Sequence, residues 1–141
     1  GAIHRAGGPA IMEETALRYP DGCPTGSAVI TSAGRLPAKY VIHVVGPVWG
    51  GGNRGEERLL SCAYRTALDL AVGHDCQSIA LPALSAGAYG YPLDQAGQIA
   101  IRTAIEFLHQ LADGQKLSIV RFVLFSTDVH AAFQRALQGE R

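Results

Sequence analysis

The segment from residue 81 to residue 92, LPALSAGAYGYP, most constrains what this chain can fold into. An apolar run ends here, Gly87 and Gly90 lie on either side of Tyr89, and Pro92 opens a helical pattern. This order predicts a strand, a tight loop and the start of a helix. Such a loop directs backbone N–H groups into one small volume, where a helix N-terminus also favours negative charge. The segment therefore predicts a phosphate-binding loop, or else an ordinary turn in which the glycines serve geometry alone.

The rest of the chain alternates apolar runs with helical patterns. Four runs predict strands: residues 28–31, 40–45, 78–84 and 117–125. The last two runs are nearly continuous, which predicts strands covered on both faces, as in α/β folds. Helical spacing marks the first eight residues and residues 9–17, 56–72, 93–112 and 128–137, with Ser126 and Thr127 as candidate N-caps of the last helix. Strands and helices that alternate in this way predict a βαβ unit with a right-handed crossover.

Composition limits the partners and the compartment. At 141 residues, 48% of them hydrophobic, the chain has the size of one domain with a packed core. Its zero net charge gives no field that would attract nucleic acid or an anionic membrane, and we expect neither as a partner. The cysteines, Cys23, Cys62 and Cys76, form no CxxC or Cys/His pattern, so we expect no metal site and no disulfide framework. A reducing cytoplasmic location fits this cysteine usage best.

Three segments are candidates to meet outside the carboxyl ends of the strands, where α/β sheets bind ligands. They are the loop 85–91, the end of the last strand at 125–127, and the turn at residues 1–4. Two helix N-termini aimed at one point suit a diphosphate. At the strand end, Phe125 suits stacking on a flat base, and Tyr89 suits covering a sugar. The residue pattern alone favours core packing for Phe125, because strand aromatics usually pack.

The histidines divide into one candidate and four structural residues. His4 is placed to position a substrate hydroxyl or a water, or else it caps or lines the first helix. Inside an apolar strand, His43 is predicted to be a core histidine whose hydrogen bonds are satisfied. The other three are predicted to be solvated: His74, His109 and His130.

Two further patterns are interpreted without chemistry. The glycine-rich stretch 50–55 lacks the GK[ST] ending of a phosphate-binding Walker motif, so we interpret it as a mobile surface loop. Ser61 and Ser85 have no Asp and His partners at a recognisable spacing, which gives no support for a serine-hydrolase triad.

Four motifs resemble those of a known family. They are GAIHRAGGP at 1–9, CPTG at 23–26, LPAKYVIHVVGPVW at 36–49 and LSAGAYGYP at 84–92. In this order they resemble the macrodomains of the MacroD type and are similar to the bacterial O-acetyl-ADP-ribose deacetylases. The resemblance implies a single domain over 1–141, a three-layer α/β/α sandwich with a mixed, mostly parallel central sheet. It also implies a hydrolase that uses no cofactor, binds ADP-ribose, deacetylates O-acetyl-ADP-ribose and removes ADP-ribose from acidic side chains of mono-ADP-ribosylated proteins.

The resemblance also assigns residues. Ala2 and Ile3 match the helix start that faces the diphosphate, His4 matches a histidine proposed to assist catalysis, and Phe125 matches the position near the adenine. The remaining match is the loop for the diphosphate and distal ribose: Ser85, Ala86, Gly87, Ala88 and Tyr89. At position 86 many relatives have threonine, so one hydroxyl is lost, but a phosphate contact made by the backbone survives such a change.

The resemblance further implies about 35 residues ahead of Gly1, which at ordinary element lengths hold two strands and a glycine-rich loop. In the family, one of these strands lies at the centre of the sheet, and an aspartate in this segment is credited with orienting the attacking water. We therefore expect the chain to be N-terminally incomplete, with the strand supplied by a missing segment, a second chain or a swapped partner. Two alternatives to the enzyme stay open: a non-catalytic reader of ADP-ribose, and an interaction protein that regulates a ribonuclease.

Overall fold

The computed structural model describes residues 2–140 of the chain. This part contains five helices and four strands. Two helices open the chain, α1 (Ala2–Gly7) and α2 (Pro9–Arg18). The remaining elements follow in the order β1 (Ala28–Ser32), β2 (Tyr40–Val44), α3 (Glu56–Gly73), β3 (Ser78–Leu81), α4 (Leu93–His109), β4 (Ile119–Phe122) and α5 (Thr127–Gly139). Each predicted element is present. The largest differences at an element's end are at β3, β4 and α4, each of which ends three residues earlier than its predicted span.

The strands pair in two separate ladders. β1 and β2 are antiparallel, with Val29 opposite His43, whereas β3 and β4 are parallel, with Leu81 opposite Phe122. Within residues 2–140 no ladder joins the two pairs. The mixed, mostly parallel sheet that the resemblance implies is therefore present in two pieces, one antiparallel and one parallel. The physical reason is that β2 and β3 each use one edge only, and no described strand bridges their other edges.

Helix α3 holds the two ladders together. It packs against β1, β2 and β3, and its buried residues recur at helical spacing, with Leu60, Tyr64 and Leu68 almost fully enclosed. α4 packs on α3, and α5 packs on α4. Ile42 of β2 and Phe122 of β4 both contact this cluster, so a single core serves both ladders.

The ladder of β3 and β4 is covered on one face only. Alternate residues point to opposite faces of a strand, and here Ile79 and Phe122 face the core whereas Ala80 and Ile119 are exposed. The expectation that these apolar strands are covered on both faces is therefore wrong for the described residues. Continuous apolar character predicts two covering layers, and only the helical layer on the core side is present here.

The cap of α5 gives a direct test of one sequence prediction. Ser126 precedes the helix in an extended conformation, and its Oγ accepts a hydrogen bond from the N–H of Val129 at 3.2 Å. We expect Ser126→Ala to lower the free energy of unfolding by about 1 kcal/mol, because one helix N–H loses its acceptor. Urea unfolding measures this loss. Thr127→Ala is the matched control, and an equal loss there would contradict the assignment of Ser126 as the cap.

No helix within residues 2–140 combines the length and the apolar character that a membrane span needs. Over the same residues, no three side chains of the His, Cys, Asp or Glu type gather closely enough to hold a metal ion.

Candidate functional site

The loop after β3 is closed by its own backbone. The N–H of Tyr91 donates to the carbonyl of Ser85 at 2.9 Å, and the N–H of Gly90 donates to the carbonyl of Gly87 at 3.0 Å. Ser85 has a φ of 64°, in the left-handed region that side chains other than glycine rarely adopt. Backbone strain of this kind persists where the surrounding structure enforces it, and it concentrates at binding sites.

Four backbone donors of this loop are free. Among residues 2–140, no acceptor receives the N–H groups of Ser85, Gly87, Ala88 and Tyr89. The hydroxyl of Ser85 is also buried and has no hydrogen-bond partner in the same part of the chain. Successive free N–H groups on a tight turn form a concave anion site. We call residues 85–89 the anion loop.

Nothing in the fold itself demands a glycine at position 87. A Cβ built on Gly87 meets no atom of the described part of the chain within 4 Å, and the φ of Gly87 lies outside the left-handed region. A residue without a side chain also allows a ligand to approach the backbone closely. The open space above Gly87 is therefore available to a ligand.

Tyr64 supports the segment that leads from β3 into the anion loop. Its side chain is 1% exposed, and its hydroxyl donates to the carbonyl of Pro82 at 3.1 Å and accepts from the N–H of Leu84 at 2.9 Å. Burial raises the pKa of Tyr64 well above its usual value, so the hydroxyl keeps its proton. Sequence reasoning missed this residue, because a tyrosine at a helical core position gives no sign of a partner 18 residues away.

The end of β2 brings α1 and the anion loop together. The ring of His4 lies 5.9 Å from the ring of His43, centroid to centroid. Three residues beyond His43, a Cβ on Gly46 would collide with Oγ of Ser85. Three residues of extended chain span about 10 Å. The start of α1 and the anion loop therefore contact the same end of β2, about 10 Å apart, and Nδ1 of His4 is buried there without a partner among residues 2–140.

The other predicted contacts lie at the surface. Ala2 and Ile3 begin α1, and Ile3 is 54% exposed. Phe125 is 92% exposed, so the core packing that the residue pattern favoured is wrong. The parallel register that places Leu81 opposite Phe122 is extended by the bond from the N–H of Val123 to the carbonyl of Leu81. Phe125 and the start of the anion loop therefore leave the ladder side by side, although no ring contact or hydrogen bond joins them within the described residues.

His43 is a satisfied histidine, as predicted. Its Nε2 lies 2.9 Å from Oγ1 of Thr31, which is buried. The three histidines predicted to be solvated are all exposed: His74, His109 and His130.

The environment of His43 makes stability depend on pH. Burial, and then the neighbouring His4, lower the pKa of His43 below 6.5. The unfolded chain binds this proton near pH 6.5, whereas the folded chain binds it only at lower pH. The contribution of His43 to the free energy of unfolding is therefore fully present above pH 6.5, and it is lost as the pH falls from 6.5 toward the pKa of His43 in the folded chain. The urea midpoint of the wild-type chain should be lower at pH 5.5 than at pH 7.5, and His43→Gln should make this difference smaller. An unchanged difference in the variant would contradict the role given to His43.

The glycine-rich stretch before α3 is tethered, which corrects its interpretation as a mobile loop. The carboxylate of Glu56 accepts from the N–H groups of Gly50 and Gly52, each at 2.9 Å, and from that of Arg54 at 2.6 Å. Glu56 is 2% exposed. A glutamate just after a glycine-rich stretch, at the first position of a helix, was the signal that could have revealed this arrangement.

Two open depressions lie away from the anion loop. One, of about 430 Å³, lies between α3 and α4 and includes Arg65 and Phe107 in its lining. The other, of about 400 Å³, lies between α4 and α5, where Arg135 pairs with Asp94 at 2.7 Å. Neither depression is lined by a residue of the anion loop, so the unpartnered N–H groups and the buried Ser85 hydroxyl of that loop, and not the volume of a depression, identify the candidate site.

Comparison with known proteins agrees with the geometry. Residues 1–100 match the model of the family described as Macro domain. The chain belongs to the macrodomain family. This macrodomain is 49% identical over 140 residues to a macro domain-containing protein of Caldanaerobacter subterraneus subsp. tengcongensis, covering 98% of this chain and 78% of the relative. It is 47% identical over 145 residues to the O-acetyl-ADP-ribose deacetylase of Citrobacter rodentium, covering 100% of this chain and 80% of the relative.

Solved structures extend the comparison to the α/β fold. The macrodomain of Oceanobacillus iheyensis with ADP superposes with a TM-score of 0.89 at 37% identity, covering 99% of this chain and 74% of that one. The macrodomain of Trypanosoma brucei in complex with ADP-ribose gives a TM-score of 0.86 at 35% identity, covering 97% of this chain and 55% of that one. The two ladders and five helices described above therefore have the arrangement of a macrodomain.

Proposed function

We propose that this macrodomain binds ADP-ribose and hydrolyses its derivatives. The observation that carries the proposal is the set of free N–H groups in the anion loop, at Ser85, Gly87, Ala88 and Tyr89. A diphosphate has the negative charge and the oxygen acceptors that such a loop binds. Macrodomain relatives named O-acetyl-ADP-ribose deacetylase, together with macrodomain structures containing ADP or ADP-ribose, support the same ligand class.

In this proposal each predicted residue contacts one part of the ligand. The diphosphate lies between the anion loop and the start of α1 at Ala2 and Ile3. The distal ribose lies near Tyr89 and His4, and the adenine stacks on Phe125. The 92% exposure of Phe125 supports this last role, because a ring that the described residues leave almost uncovered is free to stack on a base.

The proposed reaction on O-acetyl-ADP-ribose is ester hydrolysis. Water adds to the acetyl carbonyl carbon, the bond from that carbon to the ribose oxygen breaks, and acetate and ADP-ribose are released. The proton of the water passes to the departing ribose oxygen. His4 positions the water or the ribose hydroxyl and takes part in this proton transfer, for which its buried and unpartnered Nδ1 is available.

The proposed second substrate is a protein that carries ADP-ribose on an acidic side chain. The linkage is again an ester, here between the side-chain carboxylate and the distal ribose. Water attacks the anomeric carbon or the ester carbonyl, and the products are free ADP-ribose and the free carboxylic acid. The same pocket serves both substrates because the ADP-ribose portion is common to them.

The test pairs calorimetry with hydrolysis assays on both substrates. We expect ADP-ribose to bind, AMP to bind more weakly because it lacks the diphosphate and the distal ribose, and both esters to be cleaved. His4→Gln should leave binding intact and slow cleavage by about 100-fold, the size of an acid–base contribution. His109→Gln, at an exposed histidine remote from the anion loop, is the control. Binding without cleavage would indicate a reader of ADP-ribose, and absence of binding would refute the proposal.

We also propose that an additional strand completes the sheet. β2 pairs only with β1 and β3 only with β4 within residues 2–140, so each has one edge of unpaired N–H and C=O groups. Such edges accept a further strand, from another segment or from a second chain. Hydrogen exchange tests this in the active protein. The amides of Ile42 and Ala80 point away from their present partner strands, so slow exchange at both supports the proposal and fast exchange contradicts it.

A further inference from the structure

The carboxylate of Glu56 is buried, and backbone N–H groups of the preceding residues surround it. The backbone hydrogen bonds, that of Gly52 first and then those of Gly50 and Arg54, lower the pKa of Glu56 to about 2. The carboxylate is therefore ionised at any working pH. Because these donors come from one short turn, the carboxylate fixes the shape of residues 50–54, which we call the glycine turn.

Trp49 connects the glycine turn to the anion loop. On one side, a Cβ built on Gly52 would lie 3.0 Å from the indole Cη2, so the turn packs closely on the ring. On the other side, the N–H of Trp49 donates to the carbonyl of Tyr89 at 2.9 Å, and its ring lies 4.8 Å from that of Tyr91. Tyr91 is 3% exposed and closes the anion loop through its bond to Ser85.

We propose that Glu56 is a positioning residue for the anion loop and acts through Trp49. The carboxylate holds the glycine turn, the turn holds the indole, and the indole residue fixes the carbonyl of Tyr89 and the ring of Tyr91. Each link is a hydrogen bond or a direct packing contact. The result is an anion loop whose N–H groups are oriented before the ligand arrives, which reduces the entropy lost on binding. That the ligand is ADP-ribose rests on the function proposed above.

The first test compares two neighbouring glutamates. Glu56→Gln replaces one acceptor oxygen with an NH2 group that faces backbone N–H donors. Glu57→Gln removes the same charge from the same helix start at an exposed position. We expect Glu56→Gln to weaken ADP-ribose binding about tenfold, the size of a remote coupling. It should also move the emission of Trp49, the only tryptophan of the chain, to longer wavelength. Glu57→Gln should do neither.

The second test is a double-mutant cycle on the affinity for ADP-ribose. If Glu56 acts through the indole of Trp49, then Trp49→Leu already removes the ring contacts with Gly52 and Tyr91 and leaves only the backbone bond to Tyr89, so adding Glu56→Gln produces little further loss. Fully additive losses would overturn the proposal. All variants are compared under conditions in which urea titrations show them to be fully folded.

The outcomes separate a positioning role from a structural one. If Glu56→Gln lowers the free energy of unfolding but keeps wild-type affinity and emission, Glu56 stabilises the glycine turn alone and the proposal fails. If the wild-type chain itself does not bind ADP-ribose, the proposed function fails instead. In that case, the Trp49 emission and the hydrogen exchange of the Tyr91 amide are compared between Glu56→Gln and the wild-type chain, and they decide whether Glu56 controls the anion loop. A change in both supports the connection, and no change refutes it.

Discussion

Gly87→Val is expected to weaken ADP-ribose binding by about 10- to 100-fold while leaving the protein folded. A Cβ at this position meets no atom of residues 2–140, so this part of the free chain accommodates a side chain there. In the complex, the valine methyl groups occupy the space through which a phosphate oxygen approaches the N–H groups of Gly87 and Ala88. Calorimetry measures the affinity, and urea unfolding measures the stability.

The matched control for this variant is Gly73→Val. Gly73 also has open space around its would-be Cβ and no left-handed φ, but it ends α3 and belongs to no part of the candidate site. It should leave binding unchanged. If Gly87→Val binds ADP-ribose as tightly as the wild-type chain does, the diphosphate does not contact the anion loop.

The largest effect on stability is expected from Tyr64→Phe. The substitution keeps the ring in the core but removes one hydroxyl that serves two backbone groups, the carbonyl of Pro82 and the N–H of Leu84. Both groups then lose this partner from part-buried hydrogen bonds, beside a tyrosine that is 1% exposed. Each unsatisfied buried group costs about 1–3 kcal/mol, so we expect the free energy of unfolding to fall by about 2–4 kcal/mol.

Tyr19→Phe provides the comparison. The hydroxyl of Tyr19 makes one hydrogen bond, to the carbonyl of Ile30 at 3.0 Å, at a half-buried position. Its loss should cost about 1 kcal/mol. Equal losses for the two variants in urea titrations would show that the bridging hydroxyl of Tyr64 has no special role. A larger loss at Tyr64, accompanied by weaker ADP-ribose binding, would show that β3 and the anion loop depend on the same support.

Element type and order were predictable because they depend on local patterns. The helical spacing of residues 56–72 and 93–112, with Pro92 at a helix start, identified α3 and α4 almost to their ends. The glycines of the segment 81–92 identified a tight loop, and several of its N–H groups have no acceptor among residues 2–140. The motifs at residues 1–9 and 36–49 identified the family, because they occur in the order that the family has.

Exposure and long-range partners were not predictable in the same way. Phe125 has the sequence environment of a core residue and is almost fully exposed, because β4 ends at Phe122 and the chain leaves the ladder. The stretch 50–55 has the composition of a mobile loop, yet Glu56 binds it through three backbone N–H groups. Neither outcome can be obtained from composition, because each depends on where the chain lies relative to other elements.

The sequence by itself determined the helices, the strands, the anion loop and the macrodomain family, since these depend on residue spacing and on motifs within short segments. Only the tertiary structure decided that His4 and Ser85 lie beside the same end of β2, that Tyr64 supports the anion loop, and that Trp49 connects it to Glu56. These contacts join residues that are far apart in the chain. Their partners are chosen by the packing of the whole core around α3, and no local pattern contains that information.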